Sequence, residues 1–271
     1  TLPDVTPTLP GLPYDASSSY QRGPAEAPRV IRDALWSPSA NSWTELGVNI
    51  GADGVVDDAG DLDIVGCASA DARNAIEMAI GRVVATGARP VVLGGEHCVT
   101  YPVLRAVRQH APRLTIVHFD AHADLYDEFE GDRFSHACPF ARIMEERLAD
   151  ALIQVGIRTM TGHQREQAAR FGVEVIEMRH LTPDLRLMTD GPLYVSVDID
   201  ALDPAFAPGV SHPEPGGLSV RQLLSLLQSL NGPIIAADVV ELNPRNDPNG
   251  VSAMAAAKIL RELLGVMLAA G

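Results

Sequence analysis

A chain of 271 residues, 46% hydrophobic and 21% charged, is long enough to bury a sizeable core, and its composition excludes wholesale disorder. The formal charge of −14, from 35 acidic against 21 basic residues, excludes the concentrated Lys and Arg that a nucleic-acid or anionic-membrane partner requires. The same acidity suits a cationic ligand, although solubility is the plainer reason for it.

Residues 1–13 are rich in proline and read as an irregular lead-in. From there onward short apolar runs alternate with helical patterns. Residues 69–87 form the first clear helix, with Asp71 as its expected N-cap and Gly87 as its stop. The run PVVLGG at 90–95 reads as a strand, and LTIVHFD at 114–120, LIQVGI at 152–157, LYVSVDID at 193–200 and IIAADVVEL at 234–242 read likewise. Such near-continuous Val/Ile/Leu runs mark strands buried on both faces of a parallel sheet. Between the last two strands, residues 218–232 carry Ser219 and Gln222 at capping-box spacing, and residues 252–270 read as a terminal helix. The expected architecture is α/β, a three-layer α/β/α arrangement around a mostly parallel sheet, with residues 1–271 forming a single domain.

Three cysteines, Cys67, Cys98 and Cys138, form no CxxC pair and no even-numbered framework, so reduced thiols are expected rather than disulfides. No apolar run approaches the roughly 20 residues of a membrane span, and no basic-then-apolar segment precedes the first motif. The expected location is cytoplasmic.

Ligands of open parallel sheets sit beyond the carboxyl ends of the strands, and the polar residues of this chain concentrate there. His97 follows the first of these runs, Asp120, His122 and Asp124 follow the second, Asp198 and Asp200 end YVSVDID, and Glu241 closes ADVVE. Two imidazoles and four carboxylates among them make an oxygen-rich donor set suited to Mn²⁺ and unlike a structural zinc site. Two divalent cations balance four buried carboxylates; one would leave a costly surplus of negative charge. Singly, each piece has a plainer reading: DAHAD as an exposed strand end, DID as an acidic turn, His97 as a loop histidine satisfied by backbone. Their recurrence at three strand ends favours the metal.

The segments GGEHCVTYP, HFDAHADLYD, SVDIDALDPAFAPG, EPGGLS and ADVVELNP together resemble the ureohydrolase family of arginases and agmatinases, in the family's order and over most of the chain. GLPYDASSSYQRGPAEAPRVIR also resembles the family's first strand, loop and helix. The resemblance implies a binuclear enzyme with two Mn²⁺ per subunit, hydrolysing a small cationic guanidino substrate to an amine and urea, and assembled as a homotrimer or homohexamer. It makes His97, Asp120, His122, Asp124, Asp198 and Asp200 the metal ligands. Asp124 would also orient the nucleophile. Glu241 would hold the guanidinium, a helix-capping or salt-bridge role being its plainer reading. His136, in FSHACPFARI, matches the family's loop histidine and would carry a proton to the leaving amine, where a surface-loop histidine is the alternative. GGEH stands where GGDH is more common. His118 shares strand parity with Asp120 and is either a support for it or a packed core histidine.

The loop LYDEFEGDRF is bulky and acidic, which suits a diamine-like tail and makes agmatine the expected substrate, with Tyr126, Asp127, His212 and Glu214 as candidate contacts. A merely solvated acidic loop is the alternative. The same segments resemble plant-type arginases, so arginine and guanidino acids remain alternatives. Three other classes compete: a thiol-dependent guanidine-modifying enzyme using Cys98 or Cys138, a non-catalytic binding protein on the same fold, and a deacetylase-like metal hydrolase, against which the two-metal donor set and Glu241 speak. A metal role for the histidines would deprive such a cysteine of its base.

Overall fold

The computed structural model describes residues 6–189 and 191–269. Eight strands form one sheet in which every ladder is parallel. In chain order they are β1 (Pro7–Leu12), β2 (Asp57–Asp61), β3 (Arg89–Gly94), β4 (Thr115–Phe119), β5 (Ala151–Ile157), β6 (Glu174–Glu177), β7 (Leu193–Asp198) and β8 (Ile234–Val240). Seven α-helices connect or flank them: α1 (Ala27–Leu35), α2 (Ser69–Ala85), α3 (Thr100–Arg108), α4 (Pro139–Glu145), α5 (Gly162–Phe171), α6 (Val220–Gln228) and α7 (Val251–Ala269). Among the described residues no helix is long and apolar enough to cross a membrane.

Strand parity divides the core into two layers. Val91 and Leu93 of β3, Val117 and Phe119 of β4, and Ala237 and Val239 of β8 pack with Ile31, Leu223, Leu227 and Leu260 of α1, α6 and α7. Their neighbours Val92, Ile116, Tyr194, Ala236 and Val240 pack on the opposite face with Ile76, Ile80, Leu104 and Phe140 of α2, α3 and α4. The expected three-layer α/β/α fold is the one observed.

Three local expectations are corrected. The lead-in is not irregular throughout: Pro7–Leu12 is a fully buried strand between β2 and β3, because a parallel ladder tolerates proline where its missing N–H is not needed. Residues 1–5 of that lead-in lie outside the described residues. Helix α2 begins after Ala68, so Asp71 sits in its first turn rather than at the N-cap; a carboxylate there still complements the helix dipole. Strands β2 and β6 carry no apolar run, and β2 (DDAGD) is exposed along its length at the sheet edge. The Ser219/Gln222 capping box of α6 is present as expected, and the terminal helix is observed through Ala269, Ala270 lying outside the described residues.

The strand order β2-β1-β3-β8-β7-β4-β5-β6 decides where the chemistry can assemble. Strands β7 and β8 insert between β3 and β4, so the carboxyl ends of β3, β8, β7 and β4 become four adjacent positions. Residues as far apart in sequence as His97 and Glu241 therefore meet over the middle of one sheet edge.

Candidate metal centre

His97 opens a short 3₁₀ turn after β3 and is fully buried. Its Nδ1 lies 3.2 Å from Asp120 Oδ2, 3.1 Å from Asp124 Oδ2 and 3.2 Å from Asp198 Oδ2, yet makes no hydrogen bond to any of them. A second focus lies beside it: His122 Nδ1 is 2.9 Å from Asp200 Oδ2 and 3.5 Å from Asp120 Oδ1. Asp120 thus turns one oxygen to each focus.

Backbone geometry aims these carboxylates. Asp198 caps the turn at Ile199–Ala201, its Oδ1 accepting from the Asp200 N–H at 2.7 Å, which leaves Oδ2 for His97. Asp200 Oδ1 accepts from the Ala121 N–H at 3.1 Å and leaves Oδ2 for His122. Asp124, which reaches His97, has its backbone in the left-handed region at φ 50°, and Glu241 has its own there at φ 64°. Of the four non-glycine residues with positive φ among the described residues, two belong to this site. Such strain costs of order 1–3 kcal/mol each and persists where surrounding structure dictates it. The alternating spacing of DAHAD is therefore not a strand continuing, since β4 ends at Phe119.

A hydrogen-bond chain fixes the His97 ring. Ser196 Oγ donates to Asp238 Oδ1 at 2.6 Å, so its lone pair accepts from His97 Nε2–H at 3.0 Å. Asp238 also accepts from Thr100 Oγ1 at 2.7 Å and from the Tyr194 hydroxyl. With one proton on Nε2, a neutral His97 would present a bare Nδ1 lone pair to three carboxylate oxygens, an arrangement that is repulsive unless a metal cation or a second proton lies between them. The orphaned Nδ1 and the four converging carboxylates fit a pair of divalent cations.

The electrostatics of the bare cluster agree. Burial raises the Asp198 carboxyl well above the usual range, and the neighbouring Asp200 and Asp120 charges raise it further; burial and Asp120 raise Asp200 too. Burial opposes protonation of His97, but Asp120, Asp124 and Asp198 overcome it and hold the ring well above its ordinary value. His122, against the same opposition from burial, is pushed up to about 12 by Asp200 and Asp120. Protons are held where the geometry calls for positive charge.

The foci open into a cavity of about 180 Å³ lined by His122, Asp124, Asp198, Asp200, Glu241, Tyr126, Phe129, His136, His212, Ser19, Thr159, Thr161 and Gln164, with Ala137. Glu241 Oε1 accepts from the His97 N–H at 2.8 Å. Burial, then the nearby Glu96 charge, raises Glu241 well above the ordinary carboxylate range. Glu96, the residue that departs from GGDH, is buried and accepts from the Ser17 N–H at 2.9 Å, from the Ser17 hydroxyl and from Cys98 Sγ at 3.0 Å. Glu96 thus ties the site to the loop after β1. His136 stacks on His212 with ring centroids 4.9 Å apart, and its Nε2 lies 2.9 Å from Ser19 Oγ. Burial, opposed by Asp124, lowers His136 to about 4.

Two of the candidate contacts are not at the cavity. Asp127 is bound to Arg142 at 2.8 Å and Arg133 at 2.9 Å, and Glu128 and Glu130 are exposed to solvent. Tyr126 and Phe129 are the residues it contributes to the lining. Glu214 presents its backbone carbonyl to Arg158 at 2.6 Å and stands outside the lining. Ser19, Thr159, Thr161 and Gln164 were not among the expected contacts; short polar residues in loops carry no pattern that distinguishes them. Burial pushes Cys98 well above the ordinary thiol range and raises Cys138 to about 12, opposite to what a nucleophilic thiolate needs.

Fold and site define a hydrolase centre built for a pair of cations at the carboxyl edge of a parallel sheet. The chain belongs to the arginase family, whose family model matches residues 6–265. It is 46% identical over 278 residues to the mitochondrial arginase of Medicago truncatula, covering 97% of this chain and 82% of that one. It is 47% identical to arginase 1, mitochondrial, of Oryza sativa subsp. japonica, over 94% of this chain and 79% of that one. The solved arginase structure from Medicago truncatula superimposes with a TM-score of 0.92 at 44% identity, covering 97% and 87% of the two chains. The chain is accordingly a metal-dependent ureohydrolase acting on guanidino C–N bonds. The cytoplasmic expectation is overturned by these relatives, which are named as mitochondrial.

Proposed function

We propose that this chain is an arginase, hydrolysing L-arginine to ornithine and urea. The observation that carries the reading is the 46–47% identity, over nearly the whole chain, to relatives named as arginases. The expectation of agmatine rested on the charge of LYDEFEGDRF. With Asp127 paired to two arginines and no carboxylate of that loop lining the cavity, that argument loses its basis.

In this reading His97, Asp120, His122, Asp124, Asp198 and Asp200 would together hold two Mn²⁺, the His97 group and the His122–Asp200 group forming the two foci. When bound, the pair would supply a nucleophile by lowering the pKa of water toward about 7, and a guanidinium, resonance-stabilised and permanently charged, needs such activation. Glu241 accepts hydrogen bonds from the guanidinium and fixes its plane; one of its oxygens is held by the His97 N–H, so the fork is oriented before substrate arrives. Asp124 orients the attacking group from its strained backbone position.

Expulsion of the amine requires a proton. His136, held near 4 by burial, is neutral at neutral pH, so it would first accept the proton given up by the attacking water and then pass that proton to the leaving amine nitrogen: it acts as a shuttle, not as a standing acid. Ser19 and His212 hold its ring. Assembly as a homotrimer or homohexamer belongs to the same reading, and sedimentation would measure it. The substrate assignment is tested by urea release from arginine, agmatine and guanidinobutyrate in parallel: arginine should have the highest kcat/KM, and a higher value for agmatine would refute it.

A further inference from the structure

Four polar residues form a row across the middle of the sheet, one to a strand. Register pairs Gln154 of β5 with His118 of β4, His118 with Ser196 of β7, and Ser196 with Asp238 of β8. All four are fully buried and share the parity that faces α2, α3 and α4. Ser196 and Asp238 set the His97 ring. The other half of the row bears on His118, whose position leaves two roles open. His118 lies close enough to His97 and Asp120 to belong to a three-residue donor group for a cation, and it equally reaches Asp120 alone, Nε2 to Oδ2 at 2.8 Å.

Gln154 decides between them. Its Nε2 lies 2.6 Å from the Ala123 carbonyl oxygen, which only accepts, so the amide nitrogen and not the oxygen must face that way. The same nitrogen lies 3.0 Å from His118 Nδ1. As a donor it requires a lone pair on Nδ1, which puts the ring proton on Nε2, against Asp120. Phe140 stacks on the ring with centroids 4.0 Å apart and covers one face of it.

We infer that Gln154 is a positioning residue: by locking His118 as the Nε2–H tautomer it converts a potential metal ligand into a hydrogen-bond donor that aims the carboxylate shared by the two metal foci. The row thus gives the two neighbouring histidines opposite tautomeric duties relative to the cluster. His97 turns a lone pair inward and His118 turns a proton inward. The inference rests on the metal reading above for its purpose, but not for the tautomer itself.

Nitrogen-15 NMR of the imidazoles tests it in wild-type protein. In the metal-free protein His118 should show a proton-bearing Nε2 and a bare, hydrogen-bonded Nδ1; a proton on Nδ1 with a bare Nε2 would overturn the inference. After loading with ¹¹³Cd²⁺, His97 and His122 should show nitrogen–cadmium coupling and His118 none. Coupling at all three would overturn the inference while sparing the metal reading; coupling at none would overturn the metal reading while leaving the metal-free tautomer to decide the inference. Gln154→Leu should lower metal affinity about tenfold, the lower end for loss of a group that orients a ligand, and should let the His118 tautomer populations mix. An unchanged tautomer in Gln154→Leu would refute the role of Gln154.

Discussion

Replacing Ser196 by alanine removes one hydroxyl from the row beneath the site. That hydroxyl, fully buried, accepts from His97 Nε2–H at 3.0 Å and donates to Asp238 at 2.6 Å. Alanine leaves the imidazole N–H without a partner, which costs about 1–3 kcal/mol, whereas Asp238 keeps Thr100 and Tyr194. At about 2–4 °C per kcal/mol for a chain of this size, the metal-free Tm should fall by roughly 2–12 °C. A purely structural hydroxyl would do no more. If it also fixes the His97 tautomer, metal affinity should weaken about 10- to 100-fold. The increase in Tm on adding saturating Mn²⁺ should then shrink by about 1.4–2.7 kcal/mol in stability terms. Thermal unfolding of wild type and Ser196→Ala, each with and without Mn²⁺, separates the two effects. A lowered metal-free Tm with an undiminished increase on adding metal would refute the orienting role.

Asp124→Asn keeps a residue type that tolerates the left-handed region while removing a charge, so turnover should collapse with little change in metal-free Tm; full activity would refute Asp124's place in the site. Glu241→Gln should reduce kcat/KM for arginine about 10- to 100-fold through loss of a charge-assisted bond, measured by urea release. His136→Asn should cost about 10²- to 10⁴-fold in kcat. In the metal-free protein the same substitution should flatten the pH dependence of stability. His136 titrates near 4 folded and near 6.5 unfolded, so the unfolded state binds more protons between these values. Its contribution is complete above pH 6.5 and is lost as pH falls toward 4, amounting to at most about 3 kcal/mol. Comparing wild type with the variant at pH 7.5 and pH 5 isolates it. Asp127→Ala should leave the ratio of kcat/KM for arginine and agmatine unchanged, because its carboxylate serves Arg133 and Arg142.

The residues that converge at the site were legible because buried charge stands out in otherwise apolar strand ends, as in DAHAD and DID. Strand runs with Val, Ile and Leu on both faces were legible for the same reason. Edge strands β2 and β6 were not, since an edge has one neighbour and its sequence can be polar. Nor was the strand order, which brings His97 beside Glu241 across 144 residues and is set by packing of whole layers. The acidic loop misled because a sequence shows charges without their partners: Arg142 lies fifteen positions beyond Asp127. The polar row was open to reading, as each of LIQVGI, IVHF, YVSV and AADVV holds one polar residue amid apolar ones, but alignment of the four depends on register that only the fold supplies.

Six side chains from three strand ends are proposed to hold two cations. Equilibrium titration of the metal-free protein with Mn²⁺, followed by electron paramagnetic resonance, tests this assignment most directly. Two ions per chain with magnetic coupling between them are expected, reduced to one in His122→Ala. A single uncoupled ion in the wild type, or two that survive His122→Ala unchanged, would contradict it.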